Sequence, residues 1–231
     1  MSTPLLLAWS GGKDSALALH CLLGDPRWRI AGLLTTVTQD YERISIHGVR
    51  RAILHRQAER SRLPLIEARI PAQATNAVYE TAFADALASA RAGAPGIETI
   101  AFGDLALADI RAYRERQLAR LGWRAVFPLW GADTRELAQR FVADGFRATV
   151  CCVDTQQLDA SFCGREFDAQ LLADLPASCD PCGENGEFHT CVHAMPSWRE
   201  PLALVRGEQV LRDHRFRYVD LIEAKAAGAS S

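Results

Sequence analysis

An apolar run of strand length, Leu5-Leu6-Leu7-Ala8-Trp9, stops abruptly at Ser10-Gly11-Gly12-Lys13-Asp14-Ser15, and the apolar segment Ala16 to Leu23 begins at once. Strand, glycine turn and helix start in that order make an anion cradle. The two glycines let the backbone turn tightly and bring its N–H groups close to a ligand. A helix N-terminus adds unpaired donors and a partial positive charge. Lys13 contributes a full charge, and the hydroxyls of Ser10 and Ser15 can donate to phosphate oxygens. The expected guest is a phosphate chain. Two commoner glycine motifs do not describe this loop. G-x-x-x-x-G-K-[ST] requires glycine where Leu7 stands and a hydroxyl residue where Asp14 stands, and G-x-G-x-x-G fails because Gly11 and Gly12 are adjacent. A plain strand–turn–helix with a capping serine would account for Ser10 and the glycines, but gives no reason for Lys13 and Asp14 inside the turn.

Beyond the loop the pattern alternates. Gly24-Asp25-Pro26 ends the first helix. Ile30 to Val37 reads as a second buried strand ending in the polar string Thr35-Thr36-Val37-Thr38. Ligands of doubly wound sheets sit beyond the carboxyl ends of the strands, so Thr35 and Thr36 are expected beside the first loop, suited to adenine or ribose. A plain strand end explains either threonine equally well. His47-Gly48-Val49 opens a helix running to about Arg62, where His47 could face the site or cap the turn. Leu65-Ile66 looks like a short strand, Ala77 to Arg91 a helix, and Ile97 to Phe102 a strand ending in Gly103-Asp104. A helix from about Leu107 to Leu121, with Ile110, Leu118 and Leu121 inward, leads to a strand from Trp123 to Phe127. Strands alternating with helices at this spacing predict an α/β fold, a doubly wound parallel sheet with right-handed crossovers.

The pattern changes after Gly131. Asp133-Thr134-Arg135-Glu136 is a capping box, Phe146 to Val153 a strand, and Phe167 to Leu175 a short helix. Strand-like pieces follow around Cys191–Ala194, Leu202–Arg206 and Val210–Tyr218, with Gly207-Glu208 expected as the turn between the last two. The chain therefore divides into residues 1–131, which carry the phosphate-type loop, residues 132–225, a smaller α+β unit, and a frayed tail at 226–231.

Composition narrows the function classes. With 231 residues, 48% hydrophobic and 23% charged, the chain resembles ordinary soluble proteins. A net charge of −2 argues against nucleic acid held by general electrostatics, and the crowded Arg50, Arg51, Arg56, Arg60 and Arg62 read as a solvated helix face. The N-terminus has no basic n-region and no run is long enough to span a bilayer. Seven cysteines, an odd number, fit a reducing cytosol better than a disulfide framework. A cytoplasmic protein without a membrane partner is expected.

A second constellation lies in Asp180-Pro181-Cys182-Gly183-Glu184-Asn185-Gly186-Glu187-Phe188-His189-Thr190. Two carboxylates, an amide and an imidazole in one glycine-interrupted loop could serve as an acid/base pair, a Mg²⁺ site or a solvated acidic turn. Read with SGGKDS upstream, it takes on more specific meaning. The first loop resembles the PP-loop of the ATP pyrophosphatase superfamily, whose members cleave ATP between the α- and β-phosphates. With the late G-E-x-G-E-[YF]-x-T pattern, the pair resembles the diphthine–ammonia ligase-like family of PP-loop proteins. The likeness also takes in His47-Gly48, Phe102-Gly103-Asp104 with Arg111 downstream, and Phe127-Pro128-Leu129-Trp130. His189 stands where eukaryotic and archaeal ligases usually carry an acidic residue, a variant similar to bacterial members.

The resemblance implies a HUP or Rossmann-like PP-loop domain and an amide-forming reaction. A substrate carboxylate would attack the α-phosphate of ATP, pyrophosphate would leave, and ammonia would displace AMP. Ser10, Gly11, Gly12, Lys13, Asp14, Ser15, Thr35, Thr36, His47, Gly103 and Asp104 are the implied ATP-binding residues. Lys13, Glu184, Glu187 and His189 are the implied catalytic set. Mg²⁺ is implied at the phosphates, with Asp14 or Asp104 nearby and no ligand set assigned. The acceptor stays open between diphthine, a cobalamin-related acid and another carboxylate, small or protein-borne, as do the ammonia source and a homodimeric state. Two rivals remain: a PP-loop sulfur transferase acting on tRNA, invited by Cys179-x-x-Cys182 and Cys151-Cys152, and an ATP or AMP sensor without chemistry. Cys151, Cys152 and Cys191 read as small core residues, whereas Cys182, inside the loop motif, could be exposed but reads as a structural or incidental thiol rather than a nucleophile.

Overall fold

The computed structural model describes residues 2–41, 43–44 and 48–224. His47 and the expected tail at 226–231 lie outside the described residues. The N-terminal half contributes β1 (Thr3–Ala8), β2 (Trp28–Thr38), β3 (Arg43–Ile44), β4 (Leu65–Ile70), β5 (Thr99–Ala101) and β6 (Arg124–Val126). Five of these run parallel in the order β4-β2-β1-β5-β6, and β3 pairs antiparallel with the end of β2. The crossovers are α1 (Lys13–Leu23), α2 (Arg51–Ser61), α3 (Asn76–Gly93) and α4 (Ala108–Arg120). Successive side chains of β1 point to opposite faces. Leu5 and Leu7 join the core under α1 and α2, while Leu6 joins Phe83 and Leu87 of α3 and Leu118 of α4. Helices on both faces of a parallel sheet are the doubly wound arrangement the alternation predicts.

The C-terminal half carries α5 (Thr134–Ala143), β7 (Arg147–Asp154), α6 (Ala169–Asp174), β8 (Phe188–Ala194), β9 (Leu204–Arg212) and β10 (Phe216–Glu223). Its four strands form an antiparallel sheet in the order β8-β7-β10-β9. α5 begins as a capped helix should: the Asp133 carboxylate accepts the Glu136 N–H at 2.9 Å. This sheet does not have a separate core. Phe141, Val150, Phe188 and Val192 belong to the same continuous apolar cluster as Leu5, Leu7, Leu17 and Leu54. Burial of a side chain such as Phe188 or Phe141 contributes about 1.5–3 kcal/mol, so the two sheets stabilise each other through α1 and α2.

Three expectations are corrected. Gly207-Glu208 is no turn. β9 runs through it, and the register with β10 slips there, Val219 pairing with Gln209 and Leu221 with Arg206. That is a bulge with an extra residue on β9, a usual use for a glycine inside a strand. The reversal falls instead at Asp213-His214, both at φ 51°, with the Arg215 N–H donating to the Arg212 carbonyl at 3.0 Å. Two successive left-handed residues give the primed turn that tight hairpins favour. Ile110, expected inward, is 41% exposed because α4 turns Leu118 rather than Ile110 to the sheet. The arginines at the start of α2 and along it are not simply solvated: Arg50, just before the helix, binds Asp220, Arg56 binds Glu223 and Arg60 binds Glu200, tying the helix to the C-terminal half.

Candidate active site

The polypeptide leaves β1 at Ala8 and enters α1 at Lys13 through a loop whose tight point is Gly11, at φ 74°. A side chain at Gly11 would meet the Gln57 amide at 2.5 Å, so only glycine fits this left-handed position. The Gly11 carbonyl accepts from the Val192 N–H at 2.8 Å and from Gln57 Nε2 at 3.0 Å. Gln57 is fully buried; it also accepts from the Trp9 indole at 2.9 Å and donates to the Val192 carbonyl at 2.7 Å. One amide thus joins the end of β1, the loop and β8.

Gly12 is the N-cap of α1 and offers no side-chain cap, leaving the first-turn donors to other partners. Ser15 Oγ donates to the Gly12 carbonyl at 2.9 Å, and Ser10 Oγ lies 3.3 Å from both the Gly12 N–H and Ser15 Oγ. Lys13 is 3% exposed, with Nζ 2.8 Å from Asp14 Oδ1 and 5.7 Å from the Phe188 ring centre. Burial is the largest single influence and works against the Lys13 charge, but Asp14, Cys182 and Glu184 together outweigh it and hold the ammonium above its ordinary range. The loop therefore keeps a full positive charge inside the protein. From the other side β5 leads into Gly103, where an added Cβ would strike the Asp14 backbone at 2.9 Å. Gly103 lets the two loops touch.

A cavity of about 930 Å³ opens over this loop. Ser10, Lys13, Asp14, Ser15, Gly103 and Asp104 border it on one side, and Glu184, Asn185, His189 and Thr190 on the other. Both motifs therefore face the same space. A neighbouring cavity of about 670 Å³ shares Ile70 and Tyr79 with it and contains no residue of either motif. The larger cavity also has an apolar end, bordered by Leu34, Thr35, Thr36, Tyr79, Phe83 and Phe102. There the Thr35 hydroxyl is buried with no hydrogen-bond partner among the described residues, a group that a base or ribose would satisfy. The phosphate cradle, the apolar end and this hydroxyl together fit a nucleotide.

The late loop is held from within. The Asp180 carboxylate accepts from the Cys182 and Glu184 N–H groups at 2.8 and 3.3 Å. Glu187 is 2% exposed and accepts three bonds: from the Asp180 N–H at 2.8 Å, the Asn185 N–H at 2.9 Å and Asn185 Nδ2 at 2.9 Å. Glu187 therefore differs from its expected place among residues facing the reaction. It borders the loop's interior, where its carboxylate is occupied. Glu184 does face the cavity. Burial, then the nearby Asp14, push its carboxyl up from 4.5 to about 7, against the pull of Lys13. His189 is driven the other way, down to about 4, by burial and by Lys13, so its imidazole is neutral at pH 7.

Two residues absent from the expected set matter here. Arg114 borders the cavity, donates to Asp104 at 2.6 and 3.2 Å and stacks over Phe102 at 4.3 Å. Arg111 instead lies over Phe127 and Trp130 and pairs with Glu115. Gln57 is the other. Among the described residues no three His, Cys, Asp or Glu side chains form a metal cluster, and no helix is long and apolar enough to cross a membrane. Asp14 and Asp104 are hard oxygen donors on one cavity wall, a set that suits Mg²⁺ sharing its remaining ligands with phosphates. All seven cysteines are free thiols. Cys182 is buried rather than exposed, its thiol near the Thr134 carbonyl at 3.2 Å, and burial pushes Cys179 and Cys182 up to about 12.

Comparison with known proteins gives concordant matches. A family model described as the diphthamide synthase N-terminal domain matches residues 4–125, and one described as the diphthamide synthase C-terminal domain matches residues 133–224. The chain is similar to the diphthine–ammonia ligase of Schizosaccharomyces pombe, at 26% identity over 233 residues, covering 94% of this chain and 38% of that relative. It spans well under half the relative's length.

Proposed function

Because the chain belongs to the diphthamide synthase family, whose N- and C-terminal domains follow one another along it, we propose that it is an ATP-dependent, amide-forming ligase of the diphthine–ammonia ligase type. The observation that supports this reading best is the single cavity bordered by both the Lys13 loop and the Glu184 loop. In this reading residues 1–131 hold the nucleotide and residues 132–225 supply the groups that act on the second substrate.

Adenine and ribose take the apolar end, with the Thr35 hydroxyl as a partner, and the β- and γ-phosphates lie in the Ser10–Ser15 loop. An oxygen of the acceptor carboxylate attacks the α-phosphorus, the bond to the β-phosphate breaks, and pyrophosphate leaves into the loop. Loop N–H groups and Lys13 stabilise the charge that builds on it, with no reorganisation at the moment of reaction. Asp14 and Asp104 would hold Mg²⁺, which would neutralise part of the phosphate charge. Ammonia then attacks the acyl carbon, the C–O bond to AMP breaks, and AMP departs. The attacking nitrogen must lose a proton, and a base works best when its pKa lies near the working pH. Glu184, near 7, is matched to that task, and His189, near 4, is not. His189 orients substrate as a neutral ring, and Glu187 holds the loop that presents Glu184. The sulfur-transfer alternative needs a thiolate, and thiols pushed to about 12 supply almost none at neutral pH.

The test is incubation with ATP and Mg²⁺, with and without ammonium and a panel of carboxylic acids. Acid-dependent pyrophosphate release, followed by ammonium-dependent amide, is the expected result. Tight ATP binding with no pyrophosphate under any combination would instead make the protein a nucleotide sensor.

A further inference from the structure

A hydroxyl from the C-terminal sheet reaches the start of α1. The Lys13 backbone N–H, which a bare helix start would aim at an anion, donates to Thr190 Oγ1 at 3.0 Å. A hydroxyl that accepts one bond keeps its own hydrogen to give. Thr190 is 2% exposed and borders the cavity beside Ser10, Lys13 and Ser15. Among the described residues its Oγ1 donates to no protein group. The position of this oxygen is set by the docking of β8 on the loop. Two residues further along the strand, Val192 gives its N–H to the Gly11 carbonyl at 2.8 Å, and Gln57 Nε2 bridges the Gly11 and Val192 carbonyls at 3.0 and 2.7 Å. Thr190 thus enters from the opposite sheet and is held in register with the glycine turn.

We propose that Thr190 is a phosphate ligand, its Oγ1–H donating to a terminal phosphate oxygen of the nucleotide and to the pyrophosphate that forms from it, with Gln57 and Val192 as positioning residues. The N–H of Lys13 and the hydroxyl form a chain in which each bond polarises the next, and the last is charge-assisted. The cradle is then complete only when the C-terminal sheet is docked. This inference rests on the proposed binding of ATP in the larger cavity.

The experiment is calorimetric titration of the full chain with inorganic pyrophosphate and, separately, with adenosine, for the wild type, Thr190→Val and Thr190→Ser. Valine keeps the β-branched shape that suits β8, and thermal melting confirms that each variant is folded. Thr190→Val is expected to weaken pyrophosphate binding about tenfold or more while adenosine stays within about twofold, and Thr190→Ser to bind pyrophosphate within about threefold of wild type. Wild-type pyrophosphate affinity in Thr190→Val would overturn the inference and leave the ligase reading standing. So would serine failing as valine does, or equal loss of adenosine and pyrophosphate. A wild type that binds neither probe would overturn both.

Discussion

The two loops that face each other across the cavity are held in opposite ways. Ser10–Ser15 is braced from outside: Gln57 of α2, Thr190 and Val192 of β8, and the close approach of Gly103 fix it. The loop at 180–187 is braced largely from inside, by the Asp180 and Glu187 carboxylates and their own neighbours' N–H groups, with Thr134 and Gln157 adding bonds from outside. The difference is one of charge and chain length. A short turn with only the Ser10 and Ser15 hydroxyls to brace it from within draws most of its support from distant elements. A longer acidic loop can satisfy its own backbone and still hold one carboxylate, Glu184, toward the cavity. Two glutamates three residues apart are thereby given different work.

Substitutions can break this contrast, beginning with the largest effect. Lys13→Ala removes the buried cation from the first loop and is expected to lower pyrophosphate release by about 10²–10³-fold, with an unchanged circular dichroism spectrum. Normal turnover would end the loop's assignment. Glu184→Gln should lower amide formation by about 10²-fold with ATP affinity retained. The wild-type rate should rise with pH through about 7 as Glu184 loses its proton, and the variant should lack that limb. The same group affects stability. Its folded value lies above 4.5, so the folded chain binds the proton more tightly, and stability falls as pH rises from 4.5 to about 7. Glu184→Gln should remove that slope from a series of melting curves.

Gly103→Ala places a methyl 2.9 Å from the Asp14 backbone. Forced overpacking against backbone costs about 1–3 kcal/mol, which predicts roughly tenfold weaker ATP binding. Glu187→Gln sharpens the comparison with its sibling. An amide turns one acceptor into a donor, so one of the three bonded N–H groups loses its partner. The expected cost is about 1–3 kcal/mol of stability, read as a lower melting temperature. A shifted pH–rate profile with unchanged melting would show that Glu187, not Glu184, does the acid–base work.

Much of this was legible in the sequence because glycine and charge are strong local signals. The Lys13 loop and the alternation of strands and helices required no long-range information. The late loop's chemistry was legible as composition, but which glutamate faces the cavity depends on hydrogen bonds made only after the loop closes. The hairpin at Asp213-His214 was missed because it carries no glycine, and the glycine at 207 serves a bulge instead. Gln57 and Arg114 did leave traces. Gln57 is a polar residue on the inward stripe of Ile53, Leu54 and Ala58, and Arg114 lies one turn before the buried Leu118. A polar group at such a position must find partners, but the sequence does not name them.

The apolar cluster running unbroken from Leu5 to Val192 has a practical consequence. Cutting the chain between the sheets would not yield a working nucleotide module and a separate substrate module. Each piece would present to water the side chains that its other half covers, and would aggregate before it could be assayed. Dissection of this protein has to proceed by point substitution in the intact chain.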